Sequence, residues 1–131
     1  MTRKEKELLA KDLSGRLDYE PYIKIEGCAN GCSNVFLTGI YYDYEDYGAK
    51  NYYVNNGYDI SRVKPYLFPL SSMTKDQSKI YHELIGGMFG TSTLINFEVL
   101  EDFFHKNHFD YRGLIPMGLA IDATNLNIYY Q

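Results

Sequence analysis

Three side chains in the last third of the chain have the chemistry of a metal site. His105 and His108 are three residues apart, and Asp110 follows them. Residues at i and i+3 share a helix face, so two imidazoles and a carboxylate could hold a divalent metal in a small hydrolase or nuclease. However, Asn107 is typical of a helix stop that would turn His108 away, and histidine near a helix C-terminus also interacts favourably with the helix dipole. We therefore favour a structural role and expect neither a bound metal nor a cofactor.

The two cysteines, Cys28 and Cys32, are separated by three residues that include Asn30 and Gly31, which suit a tight turn. A zinc site needs about four ligands, and the chain has no second cysteine pair and no Cys-x-x-Cys spacing. A thioredoxin-type redox pair needs that spacing at a helix N-terminus, whereas this segment is expected to join two strands. We interpret both residues as reduced, partly buried cysteines of a hairpin.

Tyrosine is the residue type with the most unusual distribution. The chain has 14 tyrosines and no tryptophan, and seven of the tyrosines fall between Tyr41 and Tyr58. One interpretation is that they fill a small sheet and shield its edge, because tyrosine favours strands. The other is a recognition surface, because tyrosine is enriched at protein interfaces.

Acidic residues within the tyrosine cluster favour a basic protein partner over a polyanion, because charges at an interface are normally complementary. A tyrosine nucleophile of the recombinase type is disfavoured, since such enzymes need several clustered basic groups and this chain has four scattered arginines. We predict a contact surface formed by Tyr41, Tyr42, Asp43, Tyr44, Glu45, Asp46, Tyr47, Tyr52 and Tyr53.

The composition limits the class of protein. The chain has 131 residues and a mass of 15.2 kDa, which normally make one domain, here residues 1–131. Its 17 acidic and 13 basic residues give a net charge of −4, so the basic excess typical of nucleic-acid binding is lacking. No apolar run approaches the roughly 20 residues that cross a bilayer, and the first 11 residues are too charged for a secretory signal. We expect a cytoplasmic protein without membrane contact.

The beginning of the chain predicts a helix. Thr2 and Glu5 form a capping-box pattern, in which each side chain can bond a free backbone N–H. Leu9, Leu13 and Leu17 then recur every four residues, which gives a helix of about four turns one apolar stripe.

The period then changes from that of a helix to that of a strand. Ile23 and Ile25 alternate with polar residues, as in a half-buried strand. The cysteine-containing turn should join this strand to the next one in a hairpin. Further strands are expected at residues 35–42, 52–54 and 58–60.

Two prolines, Pro65 and Pro69, separate the strands from the later helices. Each lacks an N–H and restricts the residue before it, so we expect residues 64–70 to form an irregular connector across the core. A second capping box at Thr74 and Gln77 begins the next helix. Its predicted buried residues are Ile80, Leu84, Ile85 and Met88.

Two more helices are expected after this one. The first covers residues 94–106 and buries Leu100, Phe103 and Phe104. The second is short, begins at Asp110 and ends near Gly118. The whole pattern predicts an α+β fold, in which a small antiparallel sheet of about three strands packs against an N-terminal helix and a C-terminal group of helices.

Residues 64–74 (KPYLFPLSSMT), 108–115 (HFDYRGLI) and 118–120 (GLA) resemble segments of a group of uncharacterised small proteins from phages and mobile elements of gut bacteria, as does the Lys- and Glu-rich opening helix. These segments cover about a third of the chain. The group has no assigned activity, so the resemblance implies no functional residue. It implies an accessory role in a phage or mobile element inside a bacterial cell.

Three hypotheses follow. In the first, the chain is a non-catalytic accessory protein that binds another macromolecule, a protein, through its Tyr-rich acidic surface. In the second, it is the small metal-dependent hydrolase or nuclease described above, using His105, His108 and Asp110. In the third, it is a structural assembly component, a homo-oligomer held by an exposed strand edge.

Overall fold

The computed structural model describes residues 1–27, 35–45, 48–88 and 93–129. The helices among these residues are α1 (Arg3–Arg16), α2 (Lys75–Met88) and α3 (Thr93–Lys106). The strands are β1 (Tyr22–Ile25), β2 (Val35–Phe36), β3 (Ile40–Tyr44), β4 (Lys50–Val54), β5 (Tyr58–Asp59), β6 (Val63–Pro69), β7 (Phe109–Asp110) and β8 (Ile121–Asp122). The predicted turn at Cys28 and Cys32 and the predicted contact residues Asp46 and Tyr47 lie outside the described residues.

The predicted α+β class is confirmed, but the strands form two sheets where one was expected. The larger sheet has the order β2-β1-β6-β7, and β8 also pairs with β6. Its β1–β2 and β1–β6 pairs are antiparallel, whereas β6 pairs in parallel with β7 and β8. The smaller sheet, β3-β4-β5, is antiparallel throughout. The prediction missed β7 and β8 because each is two residues long, too short to show an alternating pattern.

The prediction that residues 64–70 form an irregular connector is wrong. Residues 63–69 form β6, the longest strand described, and residues 66 to 68 are buried. Pro65 pairs with Ile23 of β1. No described strand pairs with β6 on the other side of Pro65, because β8 and β7 pair only with residues 66–69. The absence of an N–H is tolerated at this position, as it is on an edge strand. Pro69 is the last residue of the strand.

The apolar stripe of α1 forms one side of the main core. The capping box is confirmed, because the Thr2 hydroxyl accepts from the Glu5 amide and the Glu5 carboxylate accepts from the Thr2 amide. Leu9 and Leu13 are fully buried, and Leu17 is half-buried. They pack with apolar side chains of both sheets, which include Ile23, Val54, Val63 and Leu67.

A second, aromatic cluster lies between β6 and α3. Leu100, Phe103 and Phe104 are buried in it, as the helix prediction required. The α2 prediction is confirmed at its start, where Thr74 and Gln77 form a reciprocal cap. Its predicted inward face is only partly right. Ile80 is 46% exposed, Leu84 and Ile85 are half-buried, and the Met88 side chain is outside the described residues.

The short helix expected after Asp110 does not form. Asp110 ends β7, and its two carboxylate oxygens accept from the amides of Leu114 and Ile115 in a turn. The Asp110 carboxylate therefore caps backbone amides as predicted, but the backbone that follows forms a turn and not a helix. Within the described ranges, no helix combines the length and the apolar character needed to cross a membrane.

Candidate functional site

The tyrosine cluster lies on the small sheet β3-β4-β5, which we call the tyrosine sheet. Tyr41 faces Tyr53 across the β3–β4 pair, and Tyr42 faces Tyr52. Successive side chains of a strand point to opposite faces, so the tyrosines divide between the two faces of the sheet. One face, the helix-side face, carries Ile40, Tyr42, Tyr44, Lys50, Tyr52 and Val54. The other, the outer face, carries Tyr41, Asp43, Asn51, Tyr53 and Asp59.

The helix-side face is anchored at one end and open at the other. Val54 is fully buried, and Ile40 and Tyr52 pack against the core to which α1 contributes. Tyr42 and Tyr44 extend beyond this contact and are 49% and 63% exposed. A groove of about 270 Å³ separates α1 from this part of the sheet. The face is therefore part core and part surface.

The exposed part of the helix-side face carries its own cation. The ammonium group of Lys50 lies 4.3 Å from the centre of the Tyr42 ring, within the range of a cation–π interaction. The Tyr44 ring meets Tyr42 edge-on, with the ring centres 5.6 Å apart. These contacts order the two most exposed rings of this face without burying them.

The outer face combines aromatic rings with acids. The Tyr41 and Tyr53 rings are stacked, with centres 5.6 Å apart and planes inclined by 28°. Desolvation raises the pKa of the Tyr53 hydroxyl above its ordinary value, and the negative charges of Asp43 and Asp59 raise it further. Tyr41 is 47% exposed, and Asp43 is exposed beside it. This face is thus accessible, aromatic and electronegative.

The predicted contact residues are therefore brought onto one sheet but not onto one face. Tyr41, Asp43 and Tyr53 share the outer face, whereas Tyr42, Tyr44 and Tyr52 share the helix-side face. Glu45 follows directly after β3 and is exposed. Among the described strands, β3 has a neighbour on one side only, so its other edge is a place where a further strand can be added.

The predicted metal residues have separate partners. His105 is buried, and its Nε2 lies 2.9 Å from the Tyr111 hydroxyl. His108 follows the end of α3 with a φ of 59°, and its ring stacks on Tyr129 at 3.8 Å. Asp110 is occupied by the two amides that it caps. Across the parts of the chain that the structure describes, no group of three or more His, Cys, Asp or Glu side chains is placed to hold a metal.

Burial sets the charge of both histidines. It lowers the pKa of His108 from 6.5 to about 4, and the nearby positive charge of Arg16 contributes to the decrease. Burial also lowers the pKa of His105, again with a contribution from Arg16. Both imidazoles are therefore neutral at physiological pH, and their rings serve the aromatic core.

The sequence prediction missed a buried ionic network. Asp12 and Arg16 are fully buried and are joined by two hydrogen bonds, of 2.8 Å and 3.2 Å. Arg16 also donates to the Phe109 carbonyl, and Arg112 donates to Asp12. Tyr111 accepts from Arg112 and meets His105, which connects the network to α3.

A signal for this network exists in the sequence. Asp12 and Arg16 each follow a stripe leucine, Leu9 and Leu13, by three residues, which places them on the buried face of α1. A charge pair at i and i+4 on an apolar face is the pattern of a buried ion pair. Asp12 pairs with both arginines, and Arg16 also bonds to the Phe109 carbonyl, so the network has the arrangement of a structural element.

In comparisons with protein-family models, curated proteins and solved structures, nothing matches this chain. The candidate function therefore depends on the geometry of the tyrosine sheet.

Proposed function

We infer that this chain is a non-catalytic accessory protein that binds a protein partner through the tyrosine sheet. The observation that carries the proposal is the exposure of three aromatic residues on one short strand. Tyr41, Tyr42 and Tyr44 of β3 are 47%, 49% and 63% exposed. Single exposed aromatic residues are ordinary on a protein surface, whereas neighbouring ones are typical of a binding site. Tyr42 and Tyr44 are in contact on the helix-side face, and Tyr41 adds an exposed ring on the outer face of the same strand.

The rings of the tyrosine sheet are already ordered before any partner binds. Tyr41 stacks on Tyr53, and Tyr42 contacts both Tyr44 and Tyr52. Association costs less free energy when the contacting side chains lose little rotamer freedom, so ordered tyrosines favour binding. Tyrosine also supplies a large apolar area together with a hydroxyl that can bond to the partner.

Charge favours a protein over a nucleic acid as the partner. The chain carries a net charge of −4, and Asp43 and Glu45 are exposed in the tyrosine sheet. A phosphate backbone would be repelled by these carboxylates, because nucleic-acid binding depends on cations that displace counterions. The resemblance of residues 64–74 and 108–120 to proteins of phages and mobile elements supports an accessory role in the cytoplasm of a bacterial cell.

The proposal is tested by capture of partners from a bacterial lysate. The double variant Tyr41→Ser with Tyr44→Ser removes one exposed ring from each face of the sheet. Phe97→Ser is the matched control, because Phe97 is a 51% exposed aromatic residue of α3, away from the sheet. We expect the wild type and the control to retain the same proteins and the double variant to lose them.

Two measurements make this result interpretable. Circular dichroism and thermal unfolding should show that the double variant is folded, because both rings are about half exposed and little core is removed. Proteins lost from the double variant are then purified and tested for direct binding to the wild type. Equal capture by the folded double variant and the wild type would refute the proposal.

A further inference from the structure

The outer face of the tyrosine sheet carries carboxylates that differ in how far nearby groups already compensate their charge. Tyr41, Asp43 and Glu45 occupy alternate positions along the chain, and Asp59 lies opposite Tyr53. Within the described ranges, the ion pairs join Asp12 to Arg16 and Arg112, and Glu26 to Lys64. Neither Asp43 nor Glu45 takes part in any of these pairs. The Asp43 charge is therefore available to a partner. Glu45 instead lines a small pocket with Arg3, Lys6 and Lys50. The Asp59 carboxylate already accepts from the Ser61 amide and hydroxyl.

The outer face also has aromatic rings without a cation over them. Among the described lysines and arginines, those placed over a tyrosine ring lie over Tyr42, Tyr58 and Tyr111. The stacked pair Tyr41 and Tyr53 carries none of these cations. On the opposite face, Lys50 already occupies this position over Tyr42. A lysine therefore lies over a tyrosine ring on the helix-side face, whereas no described lysine or arginine lies over the stacked rings of the outer face.

We propose that the outer face of the tyrosine sheet binds an extended basic polypeptide segment. A lysine or arginine of the segment lies over the Tyr41 and Tyr53 rings, and a second basic side chain pairs with Asp43. The inference rests on the proposed function, because it names the chemistry of the partner that this sheet binds. The ring faces attract the cation through their quadrupole, and the carboxylates add a direct charge interaction.

The geometry of β3 selects an extended segment over a helix. Side chains two residues apart on a strand are separated by about 6.5 Å, so Tyr41, Asp43 and Glu45 form a row with that spacing. Alternate side chains of an extended peptide repeat at the same distance. A segment added along the edge of β3 that has no neighbour among the described strands would present basic residues at every second position to this row.

The same charges disfavour pairing between two copies of this face. A two-fold contact places each surface patch against its own copy, so Asp43 and Glu45 would meet carboxylates. Like charges brought together at an interface oppose association. The occupant is therefore a different, basic protein segment.

The experiment uses two synthetic ten-residue peptides and the full chain. In one peptide lysine alternates with threonine, and in the other glutamate replaces every lysine. Each peptide is titrated into protein with isotope-labelled tyrosine rings, and NMR follows the ring resonances. We expect saturable shifts at Tyr41 and Tyr53 with the lysine peptide, smaller shifts at Tyr42 and Tyr44, and none with the glutamate peptide. Binding should weaken as salt is added.

Two variants test the assignment of the face. Asp43→Asn removes one exposed carboxylate from the outer face and should raise the Kd for the lysine peptide about two- to fivefold, the range of an exposed charge contact. Asp76→Asn removes an exposed carboxylate from α2, outside the tyrosine sheet, and should leave that Kd unchanged. Both residues are exposed, so both variants should fold, and their spectra will show whether they do.

The outcomes separate this inference from the proposed function. Equal binding of the two peptides, an unchanged Kd for Asp43→Asn, or shifts confined to Tyr42 and Tyr44 would each overturn the basic-segment inference. If the lysine peptide fails but the Tyr41 and Tyr44 double variant still loses its captured proteins, the proposed function stands and the partner chemistry is wrong. If capture survives the double variant, the proposed function itself fails.

Discussion

The guanidinium of Arg16 and the carboxylate of Asp12, both fully buried, form a bidentate ion pair one helical turn apart, with hydrogen bonds of 2.8 Å and 3.2 Å. The pair lies under the last two turns of α1, and Arg16 also donates to the carbonyl of Phe109 in β7. One buried pair thus connects the N-terminal helix to the larger sheet.

Removing one member of this pair should be far more damaging than its position on a helix suggests. Asp12→Ala leaves Arg16 charged and buried without its partner, which costs about 3–5 kcal/mol. Urea unfolding measures the change in the free energy of unfolding. Lys11→Ala is the control, because Lys11 is exposed on the same helix and should change stability by less than about 0.5 kcal/mol. Similar values for the two variants would contradict the structural role of the pair.

Stability should decrease as the pH falls below about 6.5. The pKa of His108 is lowered from 6.5 to about 4 in the folded protein, so the unfolded chain binds more protons between these values. The contribution of neutral His108 to stability is fully present above pH 6.5 and is lost as the pH falls toward 4. The free energy of unfolding decreases by up to about 1.4 kcal/mol per pH unit in this range. The lowered pKa of His105 acts in the same direction.

Urea unfolding at several pH values from 5 to 7.5 measures this dependence. His108→Asn is the comparison, because asparagine tolerates the positive φ of 59° at this position but does not titrate. The variant will lose the ring contact with Tyr129, so the slope of stability against pH is compared and not the stability itself. An unchanged slope in the variant would show that His108 is not the titrating group.

Two glycine-to-alanine changes should alter the free energy of unfolding in opposite directions. Alanine normally stabilises a helix interior by about 0.5–1 kcal/mol relative to glycine. At Gly15 in α1, however, an added Cβ would lie 2.9 Å from Cε1 of the buried His105, which is held by Tyr111. At Gly86 in α2, an added Cβ would meet no atom of the described residues within 4 Å.

Gly15→Ala should therefore lower the free energy of unfolding, whereas Gly86→Ala should raise it by the normal helix increment. Thermal and urea unfolding of both variants give the two signs. Stabilisation by Gly15→Ala would mean that His105 can move away, and that the contact between α1 and α3 is looser than the structure shows.

Metal analysis tests the hydrolase and nuclease alternative. The purified protein should contain no stoichiometric zinc or manganese, because His105 faces Tyr111 and Asp110 is held by two backbone amides. Stoichiometric metal that disappears in His105→Gln, in a protein that is still folded, would support the enzyme hypothesis instead. Metal retained by His105→Gln would point to ligands elsewhere in the chain.

The helices show where sequence patterns are sufficient. Both capping boxes form as predicted, because each depends on residues three positions apart. The inward face of α3 is also correct, since Leu100, Phe103 and Phe104 repeat at helical spacing. Ile80 of α2 follows the same spacing yet is 46% exposed, because periodicity shows that a face is apolar but not that another element covers it.

Strand β6 shows where such patterns fail. Its two prolines indicate irregular backbone, but their effect depends on which side of the strand has a neighbour. Strand β1 is the neighbour at Pro65, whereas β8 pairs with residues 66 and 67, and β7 pairs with residues 68 and 69. β7 begins 40 residues after the end of β6, and no local pattern announces the pairing.

The sequence by itself determined the elements whose hydrogen bonds and apolar periods are local: the capped helices and the alternating strand β1. The single strand predicted at residues 35–42 is wrong, because this stretch divides into β2 and β3 of different sheets. Only the tertiary structure decided the parallel pairs of β6, the burial of Asp12 with Arg16, and the division of the tyrosines into a helix-side face and an outer face. The alternation of a strand places side chains on two faces. Which face is covered depends on where α1 packs, and that contact joins residues far apart in the chain.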